Sequence, residues 1–214
     1  MFGFLSQRKH LFLLLLYPVV GFGFSICEAL VPRVVNVMEW QPFDGWIPFV
    51  PAMVWPYVIW YLTVIFALGW TGWRKDGGEF KRLAAFLYLG MSSAYVVYLL
   101  YPNGQNLRPL DQLGEGWDYD VLRWIYSHDT PTNCNPSIHV IDAMAVWIAL
   151  ARDRLLKTKA WFQFGIAVLS VAIIASTVLI KQHSIVDVFG GLAWAGMWYL
   201  LIYSRWSPLF PTRL

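Results

Sequence analysis

An all-α integral membrane bundle of six transmembrane helices is the fold class this sequence predicts, and three observations lead to it. Of 214 residues, 58% are hydrophobic and only 14% charged, with 18% aromatic, whereas a soluble domain carries about a quarter charged residues. Six segments are long and apolar enough, or nearly so, for the ~20 residues a helix needs to cross a bilayer. Between them the Lys and Arg residues fall on alternate sides in an uneven way. No linker, low-complexity tail or internal repeat divides the chain, so residues 1–214 read as a single domain.

The spans are expected at about 10–30, 51–72, 83–101, 137–153, 160–180 and 184–204. The first follows a basic patch, Arg8-Lys9, as a signal peptide would. Its apolar run is too long for that and no small-residue cleavage site follows, so it reads as a retained span. The fifth is the cleanest, with no charge from Ala160 to Ile180. The fourth opens on "NPSIHVIDAMAVWIAL" and is short unless its polar first turn lies inside protein. Between the first two spans, residues 32–50 are too polar to cross and rich in Trp, Phe and Pro. Such residues settle at the headgroup level, and an interfacial helix or re-entrant cover is expected, the alternative being a loop packed on the bundle.

Orientation follows the positive-inside bias. Twelve of the 16 basic residues collect on one side: Arg8, Lys9, Arg74, Lys75, Lys81, Arg82, Arg152, Arg154, Lys157, Lys159, Arg205 and Arg213. That side is expected to be cytoplasmic, with both termini, in a multi-pass cell-membrane protein. The connection 102–136 and the turn 181–183 then face outward. The formal net charge of +3 reflects this asymmetry and carries no nucleic-acid footprint. Cys27 and Cys134 make no disulfide framework; two free thiols are expected, a bridge near the outer surface being the alternative.

Three polar islands share the outer side: "YPNGQNLRP" after the third span, "NCNPSIHV" opening the fourth, and "STVLIKQHSIVD" joining the fifth to the sixth. Ionisable groups at membrane depth are costly and mark function by default. His183 and Asp187 are four apart and share one helix face. A carboxylate accepting one imidazole N–H fixes the tautomer and frees the other nitrogen to attack; a buried pair stapling two helices is the plainer alternative. In "NPSIH", Pro136 suits a first helical position and Asn135 a cap. The amides of Ser137 and Ile138 would then form an anion site, with His139 placed to protonate a leaving oxygen. Arg108 offers a fork of donors for phosphate, and Lys181 a point charge beside His183; snorkelling to headgroups is the alternative for both. Together these are the parts of phosphoryl transfer. The set requires no cofactor, and no acidic or His cluster has a chelating spacing, so no metal is expected.

These residues resemble the type 2 phosphatidic acid phosphatase superfamily, whose signature reads Lys-x6-Arg-Pro, Pro-Ser-Gly-His and Ser-Arg-x5-His-x3-Asp. The resemblance covers roughly residues 83–204, with the motifs inside 101–191. It implies a phospho-histidine at His183, oriented by Asp187, with His139 as the acid and Arg108, Ser137 and nearby amides (Ile138 among them) holding phosphate. Ser176 stands at the third motif's serine. Tyr101 replaces the first motif's lysine, Thr177 the third motif's arginine and Ile138 the second motif's glycine. Lys181 is the candidate to restore one missing cation. The absent arginine and Asp187-Val188 are similar to the inositol phosphorylceramide and sphingomyelin synthase branch. Asp142 lies outside the signature; it either holds the His139 ring or supplies charge to a helix first turn.

The implied activity is removal of a phosphate, or transfer of a phospho-headgroup to a lipid hydroxyl, at the outer leaflet. Phosphatidic acid, phosphatidylglycerol phosphate and isoprenyl phosphates are the candidate substrates, and the low cation count disfavours a diphosphate. A non-catalytic lipid-binding or transport protein on the same scaffold is the competing reading. The presence of His139, His183 and Asp187 together speaks against it. Partners are the bilayer and a lipid phosphate.

Overall fold

In a computed structural model of the chain, residues 8–30, 36–74, 77–204, 207 and 209–210 are described. Of the basic residues used above for orientation, Lys75, Arg205 and Arg213 lie outside them, as does Arg33 of the polar segment.

Hydropathy sets the long helices where expected. A 3-10 turn (Lys9–Leu15) runs into α1 (Leu16–Leu30). After the two-residue strand β1 (Asn36–Val37) and the four-residue helix α2 (Phe43–Trp46), a 3-10 turn with Pro51 at its start leads into α3 (Val54–Gly72). Proline there loses only an amide that a helix start leaves unpaired. Helix α4 (Gly78–Leu100) begins several residues before the apolar run, its first turn carrying an Arg82–Glu79 pair at 3.1 Å. Then come β2 (Asn103–Gly104), the amphipathic α5 (Trp117–His128), α6 (Ile138–Arg152), α7 (Ala160–Leu179) and α8 (Ile185–Tyr203).

Five stretches are long and apolar enough to cross a membrane: Lys9–Leu30, Pro51–Gly72, Gly78–Leu100, Ala160–Leu179 and Ile185–Tyr203. The sixth expected span is not among them. Helix α6 has 15 residues, about 22 Å at 1.5 Å per residue, short of the roughly 30 Å hydrocarbon core. It sits at the centre, packed against α3, α4, α7 and α8, and ten of its residues are buried. A helix shielded by protein on all sides does not need to match the lipid thickness. Its neighbours show the reverse pattern, with large apolar side chains such as Leu62, Ile65, Phe164 and Leu200 exposed along their outer faces.

The two ends of the bundle differ. At one end Arg74 pairs with Asp153 at 2.8 Å and the His10 ring nitrogen lies 2.9 Å from the Gly72 carbonyl oxygen, tying three connections together. At the other end the polar islands gather beneath a cover made by residues 36–47 and 102–136. Here β1 pairs in parallel with β2, Asn36 opposite Asn103. The described part of the segment between spans one and two is therefore a strap with one turn of helix, clipped to the 102–136 connection. Both cysteines are buried and free.

Candidate active site

The turn Lys181–Ser184 delivers His183 to the start of α8. Ser184 occupies the N-cap and accepts from the Val186 amide at 3.1 Å, while Asp187 Oδ2 accepts from the Ser184 amide at 2.9 Å. This capping box fixes the carboxylate, and the same Oδ2 lies 3.3 Å from His183 Nδ1. The pairing expected from the four-residue spacing is thus present, with Asp187 fully buried. On the other side of the ring, His183 Nε2 lies 3.2 Å from Ser137 Oγ and 3.4 Å from His139 Nδ1. Two islands 44 residues apart meet at one imidazole nitrogen.

His139 sits in the first turn of α6, its ring packed between Tyr57 (centroids 4.6 Å apart) and Trp60 (4.4 Å). Tyr57 donates to Asp129 Oδ2 at 3.0 Å. Two expectations for this loop fail. Helix α6 begins at Ile138 with Ser137 at the cap, so Pro136 precedes the helix and Asn135 does not cap it. Asn135 Nδ2 instead donates to the Val186 carbonyl at 3.3 Å. The Ser137 amide also is not free, because it donates to the Asp187 carbonyl at 3.3 Å. Among the described residues, the first-turn amides of Ile138, His139 and Val140 are the ones left without a backbone partner, as in any helix start.

Close approach makes this crossing possible. A Cβ on Gly191 would fall 2.9 Å from the Ser137 carbonyl oxygen and 2.7 Å from Val140 Cβ, and one on Gly190 would fall 2.5 Å from Asn135 Oδ1. The glycine pair lets α8 press on the start of α6.

The cations are disposed differently from expectation. Lys181 has a left-handed backbone, φ 56°. Its ammonium donates to the carbonyls of Asp44 (2.8 Å) and Ile47 (2.6 Å) in the strap. Burial pushes its pKa down, opposed by the Asp44 carboxylate. It does not line the cavity next to His183. Arg108 donates to the carbonyls of Tyr126, at 3.0 Å, and Asp129, and its guanidinium covers the Tyr126 ring at 4.5 Å. Burial lowers its pKa, with Asp129 acting the other way. Its Nε is buried with no partner among the described residues. Both residues brace loops around the site, since each buried donor takes the nearest unpaired carbonyls.

Asp142 follows neither reading offered for it. It lies past the first turn of α6, fully buried, and neither carboxylate oxygen has a hydrogen-bond partner among the described residues. Ser176 and Thr177 bond back to the Ile173 and Ile174 carbonyls of their own helix, and the Thr177 carbonyl accepts from the His183 amide at 3.0 Å. Tyr101 is half exposed at the end of α4.

Two positioning residues in "YPNGQNLRP" escaped the sequence reading. Asn103 Oδ1 accepts from the Cys134 and Asn135 amides at 3.0 and 2.8 Å. Gln105 Nε2 donates to the carbonyls of Lys181 and Gln182 at 3.1 and 3.2 Å. Both are fully buried. Their polarity within a connecting loop reads as solvation, and only the packing reveals that they join the three islands.

A cavity of about 310 Å³ opens beside the two histidines. It is lined by polar residues, among them Asp129, Asn133, Gln182 and both histidines, and by apolar residues of α1 and α3 such as Phe24 and Trp60. Among the described residues no Lys or Arg lines it. Cys134 Sγ, a His183 ring nitrogen and an Asp187 oxygen lie within 4.8 Å of one another, a donor set able to hold a soft cation. Burial holds the Cys134 thiol well above its usual pKa, with Asp187 adding to the effect, so it favours the protonated form that does not ligate.

A membrane helical bundle with a buried His–Asp pair facing a second histidine is the class these features define. Comparison with known families agrees: the model described as the PAP2 superfamily matches residues 105–210, a stretch that holds Arg108, Ser137, His139, His183 and Asp187. No curated protein and no solved structure matches the chain. The similarity suggests an enzyme of the phosphatase or phosphotransferase type acting on lipid phosphates.

Proposed function

We propose that the chain is a membrane-embedded lipid phosphatase or phosphotransferase working at the extracytoplasmic face, with both termini cytoplasmic, through a phospho-histidine intermediate. One observation carries the reading. His183 presents Nδ1 to a fixed carboxylate and Nε2 to Ser137 and His139, beside a cavity lined by both polar and apolar side chains.

With its Nδ1 proton held by Asp187, His183 has a lone pair at Nε2. That nitrogen attacks phosphorus, an N–P bond forms, and the P–O bond to the lipid or headgroup oxygen breaks. Protonated His139 gives its proton to the departing oxygen. In the second half, neutral His139 takes the proton of an incoming water or lipid hydroxyl as its oxygen attacks phosphorus and expels His183. The tautomers follow from the hydrogen-bond partners.

Phosphate oxygens would be held by the Ser137 hydroxyl and the first-turn amides of α6, where a helix start favours an anion. Helix α8 offers no such place, because protein carboxylates already occupy its first amides. Lys181 is left out of this set because its ammonium is engaged by the strap. Arg108 would join it by exchanging a loop carbonyl for a phosphate oxygen.

With water as acceptor the substrate is a phosphatidic acid, phosphatidylglycerol phosphate or isoprenyl phosphate. With a lipid hydroxyl the reaction is headgroup transfer, as in the inositol phosphorylceramide and sphingomyelin synthase branch. Purified protein in detergent, given phosphorus-labelled phospholipids with and without a hydroxyl-bearing lipid, separates the two. Free phosphate supports hydrolysis, and label on the acceptor supports transfer. Full turnover by His183→Ala in either assay would overturn the mechanism.

A further inference from the structure

The turn that carries His183 is gripped by a residue outside the region similar to the family. Asp44 lies in the strap, 140 positions before Ser184, and is 1% exposed. Its Oδ2 accepts from the Ser184 hydroxyl at 2.7 Å and from the Trp40 amide at 2.7 Å, and its Oδ1 accepts from the Ile185 amide at 2.8 Å. The Lys181 ammonium closes the other flank on the carbonyls of Asp44 and Ile47. The strap therefore holds the turn on both sides of His183.

We infer that Asp44 is a positioning residue for the His183–Asp187 pair, joining the strap to the nucleophile's turn. By accepting the Ser184 hydroxyl proton it leaves that oxygen's lone pairs for the Val186 amide, 3.1 Å away. The Ser184 backbone in turn donates to the oxygen of Asp187 that faces His183. An anion is also favoured at the start of a helix. Without it three donors, the Ser184 hydroxyl and the Trp40 and Ile185 amides, lose their acceptor, and the Ser184 backbone that sets Asp187 against His183 is freed. Lys181 belongs to the same clamp, its uncommon left-handed backbone fastened by its own ammonium and by Gln105 on the carbonyl side.

This inference rests on the reading of His183 as nucleophile, and one experiment separates their failures. Wild type, Asp44→Ala, Asp44→Asn and Lys181→Met are mixed rapidly in detergent micelles with ³²P-labelled phosphatidic acid or phosphorus-labelled phosphatidylcholine. Label on His183 is then followed in time. For Asp44→Ala, we expect the rate of labelling to fall by about 10- to 100-fold, the scale of a small misplacement of reacting groups. The final amplitude per protein and the KM should be unchanged. Asp44→Asn and Lys181→Met should lie between it and wild type. An unchanged rate with a reduced amplitude would mean fewer folded molecules and would overturn the inference, as would a change confined to KM. A labelled wild type with an unaffected Asp44→Ala refutes positioning alone. An unlabelled wild type removes the phospho-histidine reading and this inference with it.

Discussion

Asp187 Oδ2 lies 3.3 Å from His183 Nδ1 while also receiving the Ser184 amide at 2.9 Å, so one oxygen caps a helix and orients a ring. Asp187→Asn should therefore affect two properties. An amide can present either its oxygen or its NH₂ to the imidazole, and the wrong choice reverses the tautomer. Turnover should fall roughly 10²–10⁴-fold, the scale of general acid–base and orientation effects. Loss of the charged cap should lower stability by about 1 kcal/mol. Parallel turnover and thermal unfolding in detergent test both parts.

His139→Gln should be slow for ordinary lipid esters, by about 10²–10⁴-fold, and much less impaired for a lipid phosphate ester with a nitrophenol leaving group. A good leaving group departs without a proton. An equal loss on both substrates would remove His139 from the role of acid.

Residue Gln112 is exposed in the 102–136 connection, whereas Cys27 and Cys134 are 1% and 2% exposed. Burial also pushes the Cys134 thiol up, leaving less of the reactive thiolate at any given pH. In whole cells, Gln112→Cys should take an impermeant maleimide from outside while the unsubstituted protein takes almost none. Labelling of Gln112→Cys only after the membrane is opened would reverse the proposed orientation.

Gly191→Ala places a methyl 2.7 Å from Val140 Cβ and 2.9 Å from a backbone oxygen. Overpacking of this kind costs roughly 1–3 kcal/mol, and here it would also push α8, with His183, away from Ser137 and His139. A lower unfolding temperature together with lost turnover is expected. Wild-type behaviour in both would mean that the helices can separate freely.

Tyr57→Phe keeps the ring against His139 but removes the bond to Asp129. A neutral-donor bond to a charged acceptor contributes about 1.5–3 kcal/mol, and the 129–134 loop should show faster amide hydrogen exchange by mass spectrometry. Unchanged exchange in that loop would show that Tyr57 acts on His139 by stacking alone.

What the amino-acid order determined by itself was whatever depends on near neighbours or on composition. Apolar runs placed five of the long helices within a few residues, because a span needs only length and hydropathy. The four-residue spacing brought His183 and Asp187 together, because one helix turn returns to the same face. Tertiary structure decided where long polar side chains end. Lys181 reads beside His183 as a phosphate ligand, yet its left-handed turn sends the ammonium to carbonyls more than 130 residues earlier in the chain. Arg108, Asn103 and Gln105 serve loops that only folding brings near. Asp142 is buried with no hydrogen-bond partner among the described residues, and Asp44 acquires its role from Ser184 and Ile185. Each buried donor must find an acceptor in a site that excludes water, and nothing local in the sequence encodes which distant carbonyl or carboxylate that will be.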